Sequence, residues 1–258
     1  MADGFSFTQD GAVGVLTLDA PPMNLFSREL VESLEEQLDA IEAARPRALV
    51  LRAEGQVFTA GVDVKTFSGL TPADASEFCN RLLGITHRVE ALPFPTIACV
   101  HGLCLTAGFE LSLACDMIWA AESARFGLVE IVVGVSPFMG GTQRVAERAG
   151  PARARELVMS GGLYDAARLE SWNVVNRVVP DDDLAEKTMK FAERLASGPT
   201  LANAATKRVV RAYLDGGVAA ADAATCGIVA PLFETEDLKA AVQTFLEQGP
   251  GNATFEGR

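Results

Sequence analysis

Two glutamates in the 258-residue sequence are placed for proton transfer, because each is a single charge inside an apolar run. Glu110 lies in HGLCLTAGFELSLACD (101–116), and Glu130 follows twenty residues later in LVEIVVG (128–134). Most glutamates face solvent, but apolar neighbours on both sides argue against that here. Burial would raise the pKa of Glu130 and make it a proton donor. The two carboxylates are therefore candidates for an acid–base pair.

A short buried helix is the element that must position Glu110. Ala and Leu, which favour helix, dominate 107–115, and apolar residues fill most of its positions. We predict that the helix starts near Thr106, whose hydroxyl acts as its N-cap. Glu110 then lies in the first turn, where the helix dipole favours a carboxylate. We expect Glu110 to stay ionised while shielded from water.

The rest of the chain alternates strand and helix patterns, which predicts an α/β fold with largely parallel strand pairing. A helical pattern at 27–44 has Ser27 as its cap, and a second helix is expected at 75–91. A loop is predicted at 58–64, between a strand and a polar stretch. The expected strands are 13–18, 48–53, 96–100, 117–121 and 174–179.

The C-terminal part carries helical patterns only, at 184–196, 201–214, 218–230 and 235–247. The Ser-Gly-Pro at 197–199 marks a boundary. We therefore divide the chain into an α/β core, 1–197, and a C-terminal helical region, 198–258.

Composition restricts the class of protein. With 49% hydrophobic residues the chain can bury one sizeable core, and its net charge of -12 disfavours nucleic acid and anionic membranes as partners. No secretory signal or membrane-spanning run is recognised, and five cysteines without a CxxC motif indicate reduced core thiols, so a cytoplasmic protein is expected. Metal-ligand spacing, a nucleophile elbow and phosphate-binding glycine loops are all missing from the sequence.

Three blocks in fixed order, FTAGVDVK (58–65), HGLCLTAGFELSLACD (101–116) and VGVSPFMGGTQR (133–144), resemble the crotonase (enoyl-CoA hydratase/isomerase) superfamily. The resemblance extends over nearly the whole chain. It implies a crotonase-like spiral of β-β-α turns, with a C-terminal helical oligomerisation region packed in a homotrimer or hexamer. It also implies an acyl-CoA substrate and no metal or other cofactor, since coenzyme A belongs to the substrate.

The resemblance also implies roles for particular residues. The backbone N–H groups of Val62 and Ala107 match the pair that holds the thioester oxygen as it becomes an enolate, and the start of a helix suits such donors. Glu110 and Glu130 match the catalytic glutamates that hold one water between them. The residues matched to the substrate and CoA site are Met23, Asn24, Leu25, Ala60, Asp63, Val64, Lys65, Thr106 and Phe138.

Retention of both glutamates favours an enoyl-CoA hydratase, which adds water to trans-2-enoyl-CoA. The alternatives are a Δ3-Δ2-enoyl-CoA isomerase, which needs one glutamate, and a weakly catalytic acyl-CoA-binding protein. Thr106-Ala107 stand where glycines are usual, and bulky Phe138-Met139 replace small residues, which indicates a reshaped acyl pocket. We expect Phe138 to turn toward the acyl tunnel, because buried carboxylates need water or another partner.

Overall fold

A computed structural model describes residues 4–258. Its strands are β1 (Gly4–Asp10), β2 (Val13–Asp19), β3 (Ala48–Ala53), β4 (Thr96–Val100), β5 (Leu103–Leu105), β6 (Met117–Ala121), β7 (Arg125–Gly127), β8 (Tyr164–Asp165) and β9 (Arg177–Val179). The main sheet has the order β1-β2-β3-β4-β6-β9, with the first pair antiparallel and the following pairs parallel. A small second sheet has the order β5-β7-β8.

Helices follow the strands in a repeating order. The helices are α1 (Arg28–Ala44), α2 (Pro72–Ala91), α3 (Thr106–Ala114), α4 (Gly141–Ala149), α5 (Pro151–Ser160), α6 (Ala166–Ser171), α7 (Leu184–Ala196), α8 (Thr200–Val229) and α9 (Glu236–Gln248). Two strands precede α1, and β4-β5-α3 and β6-β7-α4 repeat the pattern, so the predicted α/β spiral of β-β-α turns is confirmed. Short 3₁₀ helices span Val64–Phe67, Glu130–Val133, Asp181–Asp183 and Ala230–Glu234.

The core is a parallel sheet covered by helices. Strands β2 and β4 are almost wholly buried, as expected where helices cover both faces of a parallel sheet. Helix α1 buries Leu30, Leu34, Leu38 and Ile41, which recur at helical spacing. Its predicted cap is confirmed, because the Ser27 side chain accepts the Leu30 N–H at 3.2 Å.

Several predicted elements differ from the structure. Strand β1 was not predicted, and the strand expected at 174–179 starts only at Arg177. Helix α2 begins at Pro72 rather than 75, because Thr71 and Asp74 form a capping box there. The reading of all five cysteines as core thiols is wrong for Cys226, which is exposed.

The C-terminal helices leave much apolar surface uncovered. Helix α8 is interrupted at Gly216 and Gly217, whose backbone angles are not helical, and this matches the two predicted segments 201–214 and 218–230. Contrary to the expectation that no run reaches spanning length, the segment Thr200–Glu234 is long and apolar enough to cross a membrane by length and composition. Its charged side chains include Lys207, which pairs with Asp116 of the core at 2.9 Å. The boundary at 197/198 stays a prediction.

Candidate functional site

The central helix α3 is buried along its whole length, and its first residue has an unusual backbone. Leu105 is the N-cap residue and makes no side-chain cap, so the predicted N-cap role of Thr106 is wrong. Thr106 is instead the first helical residue, with φ of 45°, a left-handed value that favours glycine. Its Oγ1 is buried and has no hydrogen-bond partner among residues 4–258.

The loop that carries Val62 is fixed on both sides by backbone pairing. Thr59 donates its N–H to Leu103 at 2.9 Å and accepts the Leu105 N–H at 3.1 Å. Further on, Phe26 donates to the Gly61 carbonyl at 2.9 Å and accepts the N–H that follows Val62 at 3.0 Å. In such a parallel bridge the intervening N–H, that of Val62, points away from Phe26, and no acceptor in 4–258 takes it.

Two glycines bring this loop against the start of α3. A Cβ added at Gly61 would lie 2.5 Å from Thr106 Oγ1, and one at Gly108 would lie 2.1 Å from Thr59 Cγ2. Side chains at these glycines would force the two segments apart. The close packing places Val62 beside the first turn of α3, where the Ala107 N–H is among those without an intrahelical acceptor.

Glu110 lies one turn further along α3 and is held by a loop about thirty residues away. Its Oε1 accepts the N–H of Met139 at 2.9 Å and that of Gly141 at 2.8 Å. The side chain is only 2% exposed. A Cβ at Gly141 would lie 2.8 Å from Glu110 Cγ, so glycine is needed for this approach.

Glu130 opens the 3₁₀ helix Glu130–Val133 and is 4% exposed. Both of its carboxyl oxygens are buried, and neither has a hydrogen-bond partner within 4–258. A buried carboxyl without a partner is strongly disfavoured in its ionised form. Glu130 thus differs from Glu110, whose Oε1 accepts hydrogen bonds from two backbone N–H groups.

The two glutamates form an electrostatically coupled pair. Burial first, and then the charge of Glu130, raise the pKa of Glu110 to about 8, against the opposing Met139 and Gly141 N–H groups. Burial raises the pKa of Glu130 to about 7. The prediction that the helix dipole keeps Glu110 ionised is therefore wrong, because Glu110 lies beyond the first turn of α3 and burial raises its pKa. Each carboxyl thus resists ionisation, and a charge on Glu130 makes ionisation of Glu110 harder still.

The loop that holds Glu110 is clamped by Arg144, which was not among the predicted site residues. Arg144 is 5% exposed and binds Glu90 through two hydrogen bonds, both of 2.7 Å. It also donates to the Gly140 carbonyl at 3.2 Å. Met139 and Gly141 flank Gly140, so Arg144 fixes the two amides that bind Glu110. The glycine pair of the GGTQR motif was the available signal.

The turn of Met23, Asn24 and Leu25, which was predicted to line the substrate site, is held by hydrogen bonds of the Asn24 side chain. Asn24 is buried, and its side chain accepts the Ala20 N–H and donates to the carbonyls of residues 54, 57 and 58. Its polar groups are thus used inside the protein. Met23 and Leu25 are 39% and 41% exposed and remain able to contact a ligand. Ala60 joins this turn to the loop by donating its N–H to Met23.

The predicted CoA residues after Val62 lie on the 3₁₀ helix Val64–Phe67. Asp63 caps this helix by accepting the Lys65 N–H at 3.0 Å, so its carboxylate shapes the loop. Val64 and Lys65 are both exposed. The Lys65 ammonium is therefore free to approach a phosphate from solvent.

Phe138 packs between the 3₁₀ helix Val64–Phe67 and α2. Its ring packs edge-on against Phe67 at 5.5 Å between centroids and is tilted against Phe78 at 6.2 Å. The side chain is half-buried, and its carbonyl accepts from the thiol of Cys79. Phe138 thus lies in an aromatic cluster between the Val62 loop and α2. The Glu130 carboxyl makes no hydrogen bond to Phe138.

Comparison with known proteins covers nearly the whole chain. Residues 8–258 match the family model described as enoyl-CoA hydratase/isomerase. A probable enoyl-CoA hydratase of Rhizobium meliloti is 36% identical, over 92% of each chain. An enoyl-CoA isomerase/hydratase of Mycosarcoma maydis is 30% identical, over 90% of this chain and 89% of its own. The crystal structure of an enoyl-CoA hydratase from Bacillus anthracis superposes with a TM-score of 0.91 at 30% identity, covering 98% of this chain and 99% of its own.

Proposed function

The chain belongs to the enoyl-CoA hydratase/isomerase family, and on that premise we propose that it adds water to trans-2-enoyl-CoA thioesters. The observation that carries the proposal is the glutamate pair. Glu110 and Glu130 are both buried, on separate elements, and the charge of one raises the pKa of the other. Hydration needs two such groups, because one proton leaves the water while another reaches carbon.

The proposed reaction starts with one carboxyl of the pair ionised and the other protonated. The thioester oxygen of the substrate accepts from the N–H groups of Val62 and Ala107, which stabilise the enolate as charge develops there. One carboxylate takes a proton from the water as its oxygen bonds to C3. The other, protonated carboxyl delivers its proton to C2, so the pair ends with one proton, as it began. Each transfer contributes about 10²- to 10⁴-fold to the rate.

Isomerisation of 3-enoyl-CoA is the second candidate. The relative from Mycosarcoma maydis is named for both reactions, and isomerisation needs one carboxylate to move a proton between C2 and C4. The presence of two coupled carboxyls favours hydration, because a second buried charge costs stability and does nothing for a one-base shuttle.

The test is to follow loss of the enoyl-thioester absorbance with crotonyl-CoA and to offer a 3-enoyl-CoA in parallel. We expect the wild type to hydrate crotonyl-CoA. Glu110→Gln and Glu130→Gln keep side-chain volume and should each lower kcat about 10²- to 10⁴-fold, with binding of unreactive butyryl-CoA retained. Glu122→Gln, at an exposed position, is the matched control and should keep full activity.

Three outcomes would contradict the proposal. A wild type that isomerises the 3-enoyl substrate but leaves crotonyl-CoA unchanged would make it an isomerase. A wild type that binds butyryl-CoA but turns over neither substrate would make it an acyl-CoA-binding protein. Full activity in either glutamate variant would show that the pair is not the acid–base machinery.

We also infer that the C-terminal helices assemble the protein into a homotrimer or hexamer. Exposed apolar side chains cover this region, and a groove of about 420 Å³ is lined by residues of α8, α9 and the C-terminal tail. Contiguous apolar surface of this kind marks an interaction site. The exposed side chains include Tyr213, Leu214, Val218, Phe233, Val242, Phe245 and Leu246. Light scattering that finds a stable monomer would overturn this inference.

We also propose a cytoplasmic location, which the five free cysteines favour. The proposed reaction needs no metal or redox cofactor. Addition of water to a double bond transfers two protons and leaves no net electron transfer. The Val62 and Ala107 amides supply the polarisation that a Lewis acid would supply elsewhere. Dialysis against a chelator should therefore leave hydration unchanged.

A further inference from the structure

The hydroxyl of Thr106 is a buried polar group that nothing in the described chain satisfies. Thr106 is 6% exposed, and its Oγ1 has no hydrogen-bond partner among residues 4–258. It lies close to both segments whose amides are proposed to hold the thioester oxygen. Ala107 follows it in the chain, and Gly61, the neighbour of Val62, would meet Oγ1 at 2.5 Å if it carried a Cβ.

We propose that the Thr106 hydroxyl is a third hydrogen-bond donor to the thioester oxygen of the substrate. The inference rests on the proposed function, because it needs an acyl-CoA in the site. It adds a side-chain donor to the two backbone donors. Thr106 keeps its proton throughout, so its part is to stabilise developing charge and not to transfer a proton.

Polar groups of the neighbouring segments make other hydrogen bonds. The Gly61 carbonyl accepts from Phe26, the Leu103 carbonyl accepts from Thr59, and the Thr59 hydroxyl donates to Asn24. As the first residue of α3, Thr106 also has no carbonyl of a preceding helical turn to bond. Because no group within residues 4–258 accepts the proton of the Thr106 hydroxyl, its partner comes from outside them, and the thioester oxygen is the acceptor that a bound substrate supplies.

The backbone of Thr106 supports a functional reason for the side chain. Its φ of 45° suits glycine, and a β-branched residue is rare at such a value. A glycine would relieve the backbone and remove the unsatisfied hydroxyl at once. Retaining threonine carries two costs in the free protein, and a hydrogen bond made only with substrate accounts for both.

The experiment compares Thr106→Val, which keeps the branched shape without the hydroxyl, with Thr106→Ser, which keeps the hydroxyl. Two unreactive ligands are used, butyryl-CoA and S-butyl-CoA, which lacks the carbonyl oxygen. In wild type and Thr106→Ser, butyryl-CoA should bind more tightly than S-butyl-CoA. In Thr106→Val this preference should fall about 3- to 10-fold, while affinity for S-butyl-CoA is kept.

Turnover provides the second measurement. Hydration of crotonyl-CoA should be about 10- to 100-fold slower in Thr106→Val than in Thr106→Ser. If the valine variant does not fold, Thr106→Ala replaces it in the same comparison. An unchanged carbonyl preference and equal kcat in the two variants overturn the inference but leave the proposed function standing. A wild type that binds neither ligand overturns both.

Discussion

Replacing Glu110 by glutamine should make the protein increasingly more stable than the wild type as the pH rises. Glu110→Gln keeps an oxygen for the Met139 and Gly141 N–H groups, which now bind Oε1 at 2.9 and 2.8 Å. It removes only the ionisable character of a side chain that is 2% exposed. The variant therefore isolates the cost of a buried carboxyl.

The sign and size of the effect follow from the raised pKa. The Glu110 pKa is about 8 in the folded chain and 4.5 is its ordinary value, so between these values the folded state binds the proton that the unfolded state releases. Stability conferred by this group is fully present below pH 4.5 and is lost as the pH rises to about 8. Each pH unit in this range changes the free energy of unfolding by about 1.4 kcal/mol, so the stability conferred by Glu110 falls by about 4 kcal/mol between pH 5 and pH 9.

The assay is urea unfolding of wild type and Glu110→Gln at pH 5, 7 and 9, at one protein concentration because assembly affects apparent stability. The free energy of unfolding of the variant relative to wild type should grow by about 4 kcal/mol across the series. Glu122→Gln, at an exposed site, should show no such trend. A variant that loses stability relative to wild type as the pH rises would refute the reasoning and restore the helix-dipole hypothesis.

Three further changes probe the surroundings of the pair. Gly141→Ala puts a Cβ 2.8 Å from Glu110 Cγ and should lower kcat at least about 10-fold. The control is Gly84→Ala in α2, where the added Cβ meets open space. This control should leave activity unchanged and raise the free energy of unfolding in urea by up to about 1 kcal/mol. Arg144→Lys loses the two-pronged bond to its carboxylate partner, so unfolding should be easier by about 2 kcal/mol and kcat should fall. Phe138→Gly opens the aromatic cluster and should shift chain-length preference more than reaction type in a panel of 2-enoyl-CoA and 3-enoyl-CoA substrates; hydration that appears only in this variant would show that the ring displaces the water.

The fold was largely predictable because its signals are local. The spacing of Leu30, Leu34, Leu38 and Ile41 and the cap at Ser27 were enough to place α1. Strand β1 was missed because only two of its residues are buried and its exposed half is polar. Strands β5, β7 and β8 are two or three residues long and depend on partners distant in sequence, so no periodicity marks them.

The sequence indicated that two glutamates are buried, but it could not give the energetics of the pair. The sequence indicated Glu110 and Glu130, yet the ionisation state of Glu110 depends on complete burial and on a second charge that only the fold brings close. The clamp by Arg144 joins residues more than fifty positions apart. The N-cap role of Thr106 was wrong because its left-handed backbone directs the side chain to Gly61 instead of the following amides.

The two carboxyls lie on different elements, and this affects how the family can diversify. Glu110 is built into the core, between α3 and a clamped loop, and changes there disturb many contacts. Glu130 begins a short 3₁₀ helix whose next three residues, Ile131, Val132 and Val133, are exposed. Substitutions in this segment can re-aim or remove the Glu130 carboxyl while α3 and its clamped loop stay intact. Under the proposed mechanism, such changes give evolution a route from a two-carboxylate reaction to a one-carboxylate reaction on an unchanged scaffold.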